Sequence, residues 1–425
     1  MRGSASRPTT AERRARAAVA ALFLTNGALF ANLIPRFPQI KADLELGNAA
    51  YGLAVAAFPA GAVAAGLLAG PVVRRLGSAR TAVAGTLVTA AGVLAAALAP
   101  SVGLFVAAFV VGGAADAITD VGQNTHGLRV QRRYGRSIIN TFHALWSIGA
   151  VLGGGMAAAA IALGVGRGVH LAVATGGFSL LALLALRWCL PGADERDPPS
   201  AADAPTAQEV EAATVTVTGT TDPAGPPAVT RPRRPRRGLP TRTSLVVAAL
   251  VLVASSGTLV EDAGSTWAAV YLSTSLGAPA AVAATGFVAL VGAQTVGRLL
   301  GDVLVDRFGE RAVARTGGLV AAAGMGLALA VPTVPGTVAG FAAAGLGVAT
   351  LVPAAMHQAD KLPGLRPGTG LALVSWLMRL SFLLSPPLVG LVADAAGLRV
   401  GLLVVPLAGL TVLALSGVLE PRRRR

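Results

Sequence analysis

The chain has 425 residues, of which 54% are apolar and only 13% charged, about half the charged share of a soluble domain. Its net charge of +15 sits in connectors between long apolar runs, which argues against a nucleic-acid surface, and a lone cysteine, Cys189, excludes an internal disulfide. Many of the runs approach the ~20 residues that a helix needs to cross a bilayer. The 53 glycines suit helices that pack closely in lipid. The expected fold is an all-α membrane protein of about twelve transmembrane helices.

A basic segment over 1–16 precedes the first span, 17–36. That run is too long for a signal-peptide core and no small-residue cleavage site follows it, so it reads as an uncleaved span. It carries Asn26 and Asn32, two amides that suit either a polar solute or hydrogen bonds between helices. Spans two and three cover 49–71 and 81–100. Span four, 103–125, carries Asp116, Thr119, Asp120, Gln123 and Asn124, a spacing that groups them on one helix face. Such a stripe is expected to line a cavity. Asp116 and Asp120 stand one turn, ~5 Å, apart along the axis. Mutual repulsion and low dielectric then favour one of them holding a proton near neutral pH. The competing reading is a structural ion pair with an arginine from another span. Span five, 138–163, groups Asn140, His143 and Ser147, with Trp146 beside them. His143 is either a proton relay, a solute ligand or a hydrogen-bonded packing residue. Span six covers 168–190, and His126, like His357 later, reads as interfacial.

Residues 191–243 lack apolar periodicity and end in the basic run Arg231 to Arg237, which predicts a disordered linker. Six more spans follow, 244–273, 279–301, 312–331, 335–357, 368–392 and 397–418, then a basic tail over 419–425. Span seven carries the adjacent acids Glu261 and Asp262, about 100° apart around the helix. They read as buried functional acids or as outer-gate residues in water. Trp267 and Tyr271, one turn apart, suit a stacked ring or the interfacial aromatic belt. Span eleven holds Arg379, which needs an anionic partner from span seven, span four or a substrate. The pair Pro386-Pro387 is expected to break that span.

With the N-terminus inside, 30 of the 35 Lys and Arg fall on the inner side and four outside, which places both termini and the linker in the cytoplasm. The two sets of six spans look like repeats. Gly70-Pro-Val-Val-Arg-Arg-Leu-Gly-Ser-Ala-Arg80 follows span two and Gly301-Asp-Val-Leu-Val-Asp-Arg-Phe-Gly-Glu-Arg311 follows span eight, offset by 232. Duplicated halves with a site between them at mid-membrane are a common transporter plan.

These two loops resemble the signature of the major facilitator superfamily. Gly70, Arg75 and Gly77 match in the first copy, and Asp302, Asp306, Arg307 and Gly309 in the second. Arg74 stands where the first copy's acid is usual, and Asp302 where the second copy's glycine is usual, with Gly301 one place earlier. The resemblance implies two six-helix bundles, 17–190 and 244–418, and a gate set by charge pairs across the inner face. The stretches Asp120-Val-Gly-Gln-Asn124-Thr-His126-Gly, Phe142-His-Ala-Leu-Trp-Ser147 and Trp267-Ala-Ala-Val-Tyr-Leu272 look like the bacterial fucose-permease-like branch. That likeness implies proton-coupled transport of a small-molecule substrate by a monomer in the plasma membrane, with Asp120 at the place of the proton-coupling acid. A multidrug proton antiporter is the alternative, and a non-transporting sensor or scaffold a third reading. The sequence has no phosphate-binding loop, metal-ligand cluster or nucleophile elbow, so neither a cofactor nor a metal is expected, and enzymatic chemistry is not.

Overall fold

A computed structural model describes residues 8–192, 241–362 and 369–419. Among them the chain is entirely helical, and twelve helices are long and apolar enough to cross a membrane. They are α1 (Thr10–Asp43), α2 (Asn48–Leu76), α3 (Ser78–Ala97), α4 (Val102–Tyr134), α5 (Ile139–Ala162) and α6 (Arg167–Leu186). The second set is α7 (Thr243–Ser275), α8 (Ala280–Phe308), α9 (Glu310–Ala330), α10 (Val334–Asp360), α11 (Leu373–Ala396) and α12 (Leu398–Val418). The protein is a multi-pass membrane protein with every expected span present. Most of the 191–243 segment, and the 420–425 tail, lie outside the described residues.

Local sequence explains where the helices begin and end. Thr9 and Glu12 form a capping box at the start of α1, the Thr9 Oγ1 accepting from Glu12 N at 3.2 Å and Glu12 Oε2 from Thr9 N at 2.7 Å. Pro35 tightens α1 into a 3-10 turn over Ile34–Arg36 before the helix resumes. Several helices outrun their predicted spans, α1 at both ends. α4 continues to Tyr134, with Arg132 and Arg133 in its last turn and the left-handed Gly135 closing it. α8 continues to Phe308, so Asp302, Asp306 and Arg307 lie on its final turns rather than in a loop. Gly77 and Gly309 adopt the same backbone conformation, φ 83° and ψ 150° against φ 84° and ψ 152°. Only glycine takes that conformation without strain, and it turns each chain from one helix straight into the next.

Packing repeats with an offset of six helices. The contacts of α1 with α5, α2 with α4, α3 with α4 and α3 with α6 recur as α7 with α11, α8 with α10, α9 with α10 and α9 with α12. The halves meet chiefly through α2 against α11 and α5 against α8, which are themselves equivalent pairs. The proline pair 386–387 does not break α11; the helix runs through it to Ala396. A proline loses its own N–H bond but keeps a helical φ, so the helix passes through the pair, and α2 packs against it. Gly52 of α2 packs directly on the Pro386 carbonyl, and Gly390 of α11 on that of Asn48, in each case where a Cβ would collide. These contacts close the bundle at the end away from the arginine-rich connectors.

Candidate functional site

A cavity of about 350 Å³ lies between the halves, beneath this closed end. Its wall is apolar and carries six aromatic rings: Phe30 and Phe37 from α1, Phe58 from α2, Trp146 from α5, Phe287 from α8 and Phe382 from α11. Into it project Asn26, Asp116, Glu261, Asp262, Gln294 and Arg379. An ionisable group at this depth is costly and marks a functional path, so each one needs its partner accounted for.

The first half contributes a relay across three helices. Trp146 Nε1 donates to Asn26 Oδ1 at 2.7 Å, and Asn26 Nδ2 donates to Asp116 Oδ1 at 2.7 Å. The amide is thereby committed at both ends, and Asp116 is held by a neutral donor. The second half contributes an ion pair. Glu261 Oε2 accepts from Gln294 Nε2 at 2.7 Å and from Arg298 Nη2 at 3.2 Å. Arg298 Nη1 also reaches Ser147 Oγ of the other half at 3.4 Å. Asp262 is different: its Oδ2 is fully buried, no cation pairs with it among the described residues, and the donor beside it is the Ser385 hydroxyl of α11, which meets it without well-formed hydrogen-bond geometry.

Towards the arginine-rich connectors the gap between the halves widens. Asp120, Asn140 and His143 are exposed there. Asn124 Nδ2 donates to Asp120 Oδ1 at 2.9 Å, and His143 stands edge-on to Phe23 at 5.2 Å. His143 and Arg379 are near enough to act on Asp120 electrostatically. Arg379 makes no hydrogen bond or ion pair among the described residues, and the cation that pairs with Glu261 is Arg298.

The structure thus gathers Asn26, Asp116, Trp146, Glu261, Asp262 and Arg379 on one cavity, with Asp120, Asn124 and His143 at its mouth. Four expected site residues lie elsewhere. Asn32 is buried, its Nδ2 donating to Ala28 O at 2.9 Å and its Oδ1 3.0 Å from His170 Nε2. Gln123 is buried and donates to Leu22 O at 3.1 Å, so the α4 stripe divides: one edge meets the cavity and the other, with Thr119, packs inside its own half. Trp267 and Tyr271 are 0% and 1% exposed, in the core rather than against a solute or in an interfacial belt. Trp267 is about 140° round the helix from Asp262 and Tyr271 about 180°, so a helix that turns Asp262 inward turns both rings away. His126, expected at the interface, is fully buried, with Nδ1 2.9 Å from Ser78 Oγ and Nε2 accepting from Leu190 N at 3.2 Å. Asp302, Asp306 and Arg307 are exposed and form no ion pair among the described residues, and neither does Arg75. Burial pushes the Cys189 thiol up to about 12, which leaves it inert.

Two residues were missed from sequence. Arg298 was counted with the inner connector charges, and Gln294 was not singled out. Their i, i+4 spacing within an apolar run is the signal that could have found them. Arg36 was counted as an outer-loop charge but is 2% exposed, donating to Val165 O at 2.7 Å and Gln39 Oε1 at 3.1 Å.

Comparison with known proteins adds findings of three kinds: a family model, relatives by sequence and solved structures. The family model described as the Major Facilitator Superfamily matches residues 19–293 and 262–425. The uncharacterized transporter y4wD of Sinorhizobium fredii is 29% identical over 405 residues, 95% of this chain and 97% of that protein. The membrane protein MosC of Rhizobium meliloti is 27% identical over 409 residues, 96% of this chain and 90% of that protein. Among solved structures, nucleoside transporter NupG aligns with a TM-score of 0.68 at 12% identity, covering 96% and 99% of the two chains. A D-xylose–proton symporter aligns at 0.63 with 17% identity, covering 94% and 96%. At such identities these two likenesses speak to the fold alone.

Proposed function

The chain belongs to the Major Facilitator Superfamily, and from that premise we propose that this transporter moves a small solute by alternating access of its two halves, coupled to protons. The observation that carries the reading is the cavity itself. It lies between the halves, is sealed at one end, and holds carboxylates that outnumber their cationic partners. Asp116 and Asp262 enter from opposite halves, so a proton on either one is within reach of a solute bound between them. The four acids Asp116, Asp120, Glu261 and Asp262 are the proton-site candidates. Asp120 sits where protons arriving through the wider end meet it first. The fucose-permease-like residues around Asp120 and Asn124 favour coupling at this helix.

The charge bias of the connectors supports an orientation with the wider end, both termini and the 191–243 segment on the cytoplasmic side and the sealed end outside. Reporter fusions within 191–243 and at the C-terminus test this, and an external signal from either would reverse it. The aromatic wall specifically favours the second reading, export of apolar solutes in exchange for protons.

The test of coupling uses proteoliposomes with an imposed pH gradient. Asp120→Asn fixes a neutral side chain. It is expected to abolish uphill flux while sparing solute counterflow, which needs no change of charge. Uphill flux that survives in Asp120→Asn would remove Asp120 as the carrier and pass the role to Asp116.

A further inference from the structure

We infer that the solute is an organic amine, a monocation with a small aromatic or aliphatic body, whose ammonium seats between Asp116 and Asp262. The inference rests on the transport reading above and narrows it to a substrate class. It follows from counting charges on the cavity one pair at a time. Glu261 is matched by Arg298 at 3.2 Å. Asp120, at the mouth, has the Arg379 guanidinium and the His143 ring as its electrostatic neighbours. That leaves two carboxylates with no cation, one in each half.

Asp116 is faced by the Asn26 amide, itself held by Trp146, and by Asp120 one turn away on its own helix. Asp262 is faced by Glu261 on its own helix, by the Tyr51 hydroxyl of α2 and by Ser385 of α11. Its Oδ2 is buried, and no cation pairs with it among the described residues. A buried carboxylate without a cation either holds a proton or awaits a positive ligand.

The rest of the wall selects among ligands. Phe30, Phe58, Phe287 and Phe382 enclose the same space, and ring faces attract a cation while accepting an apolar body. An anion would meet Asp116 and Asp262 with only the Arg379 guanidinium to set against them. A polyol would find Asn26 committed at both ends and the Gln294 amide nitrogen held by Glu261, with Arg379, Ser265 and Thr266 the other polar side chains on the wall.

Proton coupling then follows from competition. On amine binding the carboxylic O–H bond breaks, and its proton leaves by way of Asp120 at the mouth to water at the open end. The ammonium brings the positive charge that replaces it, so the occupied and protonated cavities carry equal charge.

The experiment compares three probes that share one ring system: tryptamine, the neutral tryptophol and the anionic indole-3-propionate. Binding to the purified full-length protein is measured by calorimetry in buffers of different ionisation enthalpy. Tryptamine is expected to bind about tenfold or more tightly than tryptophol, with proton release, and Asp262→Asn and Asp116→Asn should each erase that preference. Equal binding of tryptophol, a preference that survives both substitutions, or no binding of tryptamine would overturn the assignment. Proton-driven uptake of a neutral solute such as D-xylose, with tryptamine not bound, would overturn the amine and leave the coupling reading intact. Tryptamine binding with proton release but no proton-linked flux would do the reverse.

Discussion

Tyr51 offers the cleanest lever on the sealed end. Its side chain is fully buried in α2, donates a 2.9 Å hydrogen bond to the Thr266 carbonyl of α7, and sets its ring edge-on to Trp267 at 5.0 Å. The bond joins the two halves, so it exists only while this end is closed. Tyr51→Phe keeps the ring and its contact with Trp267 and removes only the hydroxyl. A net hydrogen bond is worth ~1 kcal/mol, and the carbonyl left behind keeps its place in the α7 helix. An energy of ~1 kcal/mol confined to one of two states moves their ratio by roughly fivefold. The assay is a distance distribution between spin labels at Ala42→Cys and Ala396→Cys in a Cys189→Ser background. Both sites are exposed at the sealed end, one on each half. The long-distance population is expected to grow about fivefold relative to the short one. An unchanged distribution would mean that the sealed end is held by packing alone, and the reasoning would fail.

Three other perturbations act on the same frame. Asp394 of α11 accepts from Asn48 N at 2.9 Å and Ala49 N at 2.8 Å, capping the first turn of α2 across the interface. Asp394→Ala should therefore open the labelled end, and Asp394→Asn should open it less. Gly52→Leu places a side chain against the Pro386 carbonyl, and it should hold that end apart and reduce transport to background in protein that inserts normally. Arg298→Met leaves Glu261 with only Gln294, and because the two side chains are 37% and 22% exposed the cost is about 1 kcal/mol. Thermal stability in detergent should fall in that variant and recover when Glu261→Gln is added; a double variant as unstable as the single one would refute the pairing.

The spans were legible because lipid imposes one simple requirement, a helix of sufficient apolar length, and composition reports it directly. Helix ends were less so. α4 and α8 continue past the apolar runs because arginines in water do not stop a helix; Gly135 and Gly309 do. Site residues split on a finer point. Periodicity says which residues share a face, but not which way that face turns. For α4 the polar stripe covers about 140° of the helix, wider than a single contact. Asp116 thus reaches the cavity while Gln123 binds the Leu22 carbonyl. On α7 a single rotation decided everything: turning Asp262 inward sent Trp267 and Tyr271 to the core. Arg298 and Arg36 escaped because a charge near the end of a span reads as loop charge, and only packing shows that it is inside.

The internal duplication explains how a symmetric frame can hold an asymmetric site. Ser78 and Glu310 follow the equivalent glycines, at the offset of 232 set by the two signature loops. At that offset His126 corresponds to Gln358, and the contact recurs: Ser78 Oγ lies 2.9 Å from His126 Nδ1, and Gln358 Nε2 donates to Glu310 Oε2 at 2.7 Å. A brace between the start of the third helix and the end of the fourth thus survives in both halves, neutral in one and acidic in the other. Inside the cavity no such match remains. The place of Asn26 in the second half is taken by Thr258, which bonds back to its own helix at Ala254 O, 3.4 Å away. Equivalent helices give the two halves similar shapes, so that, under the proposed alternating access, rocking one against the other leads to two comparable end states. Unequal linings, an amide-held acid on one wall and an ion pair beside a bare acid on the other, give a bound molecule one preferred orientation. Alternation needs the first property and selectivity the second, and a duplicated chain acquires both when its backbone contacts persist while its cavity residues diverge.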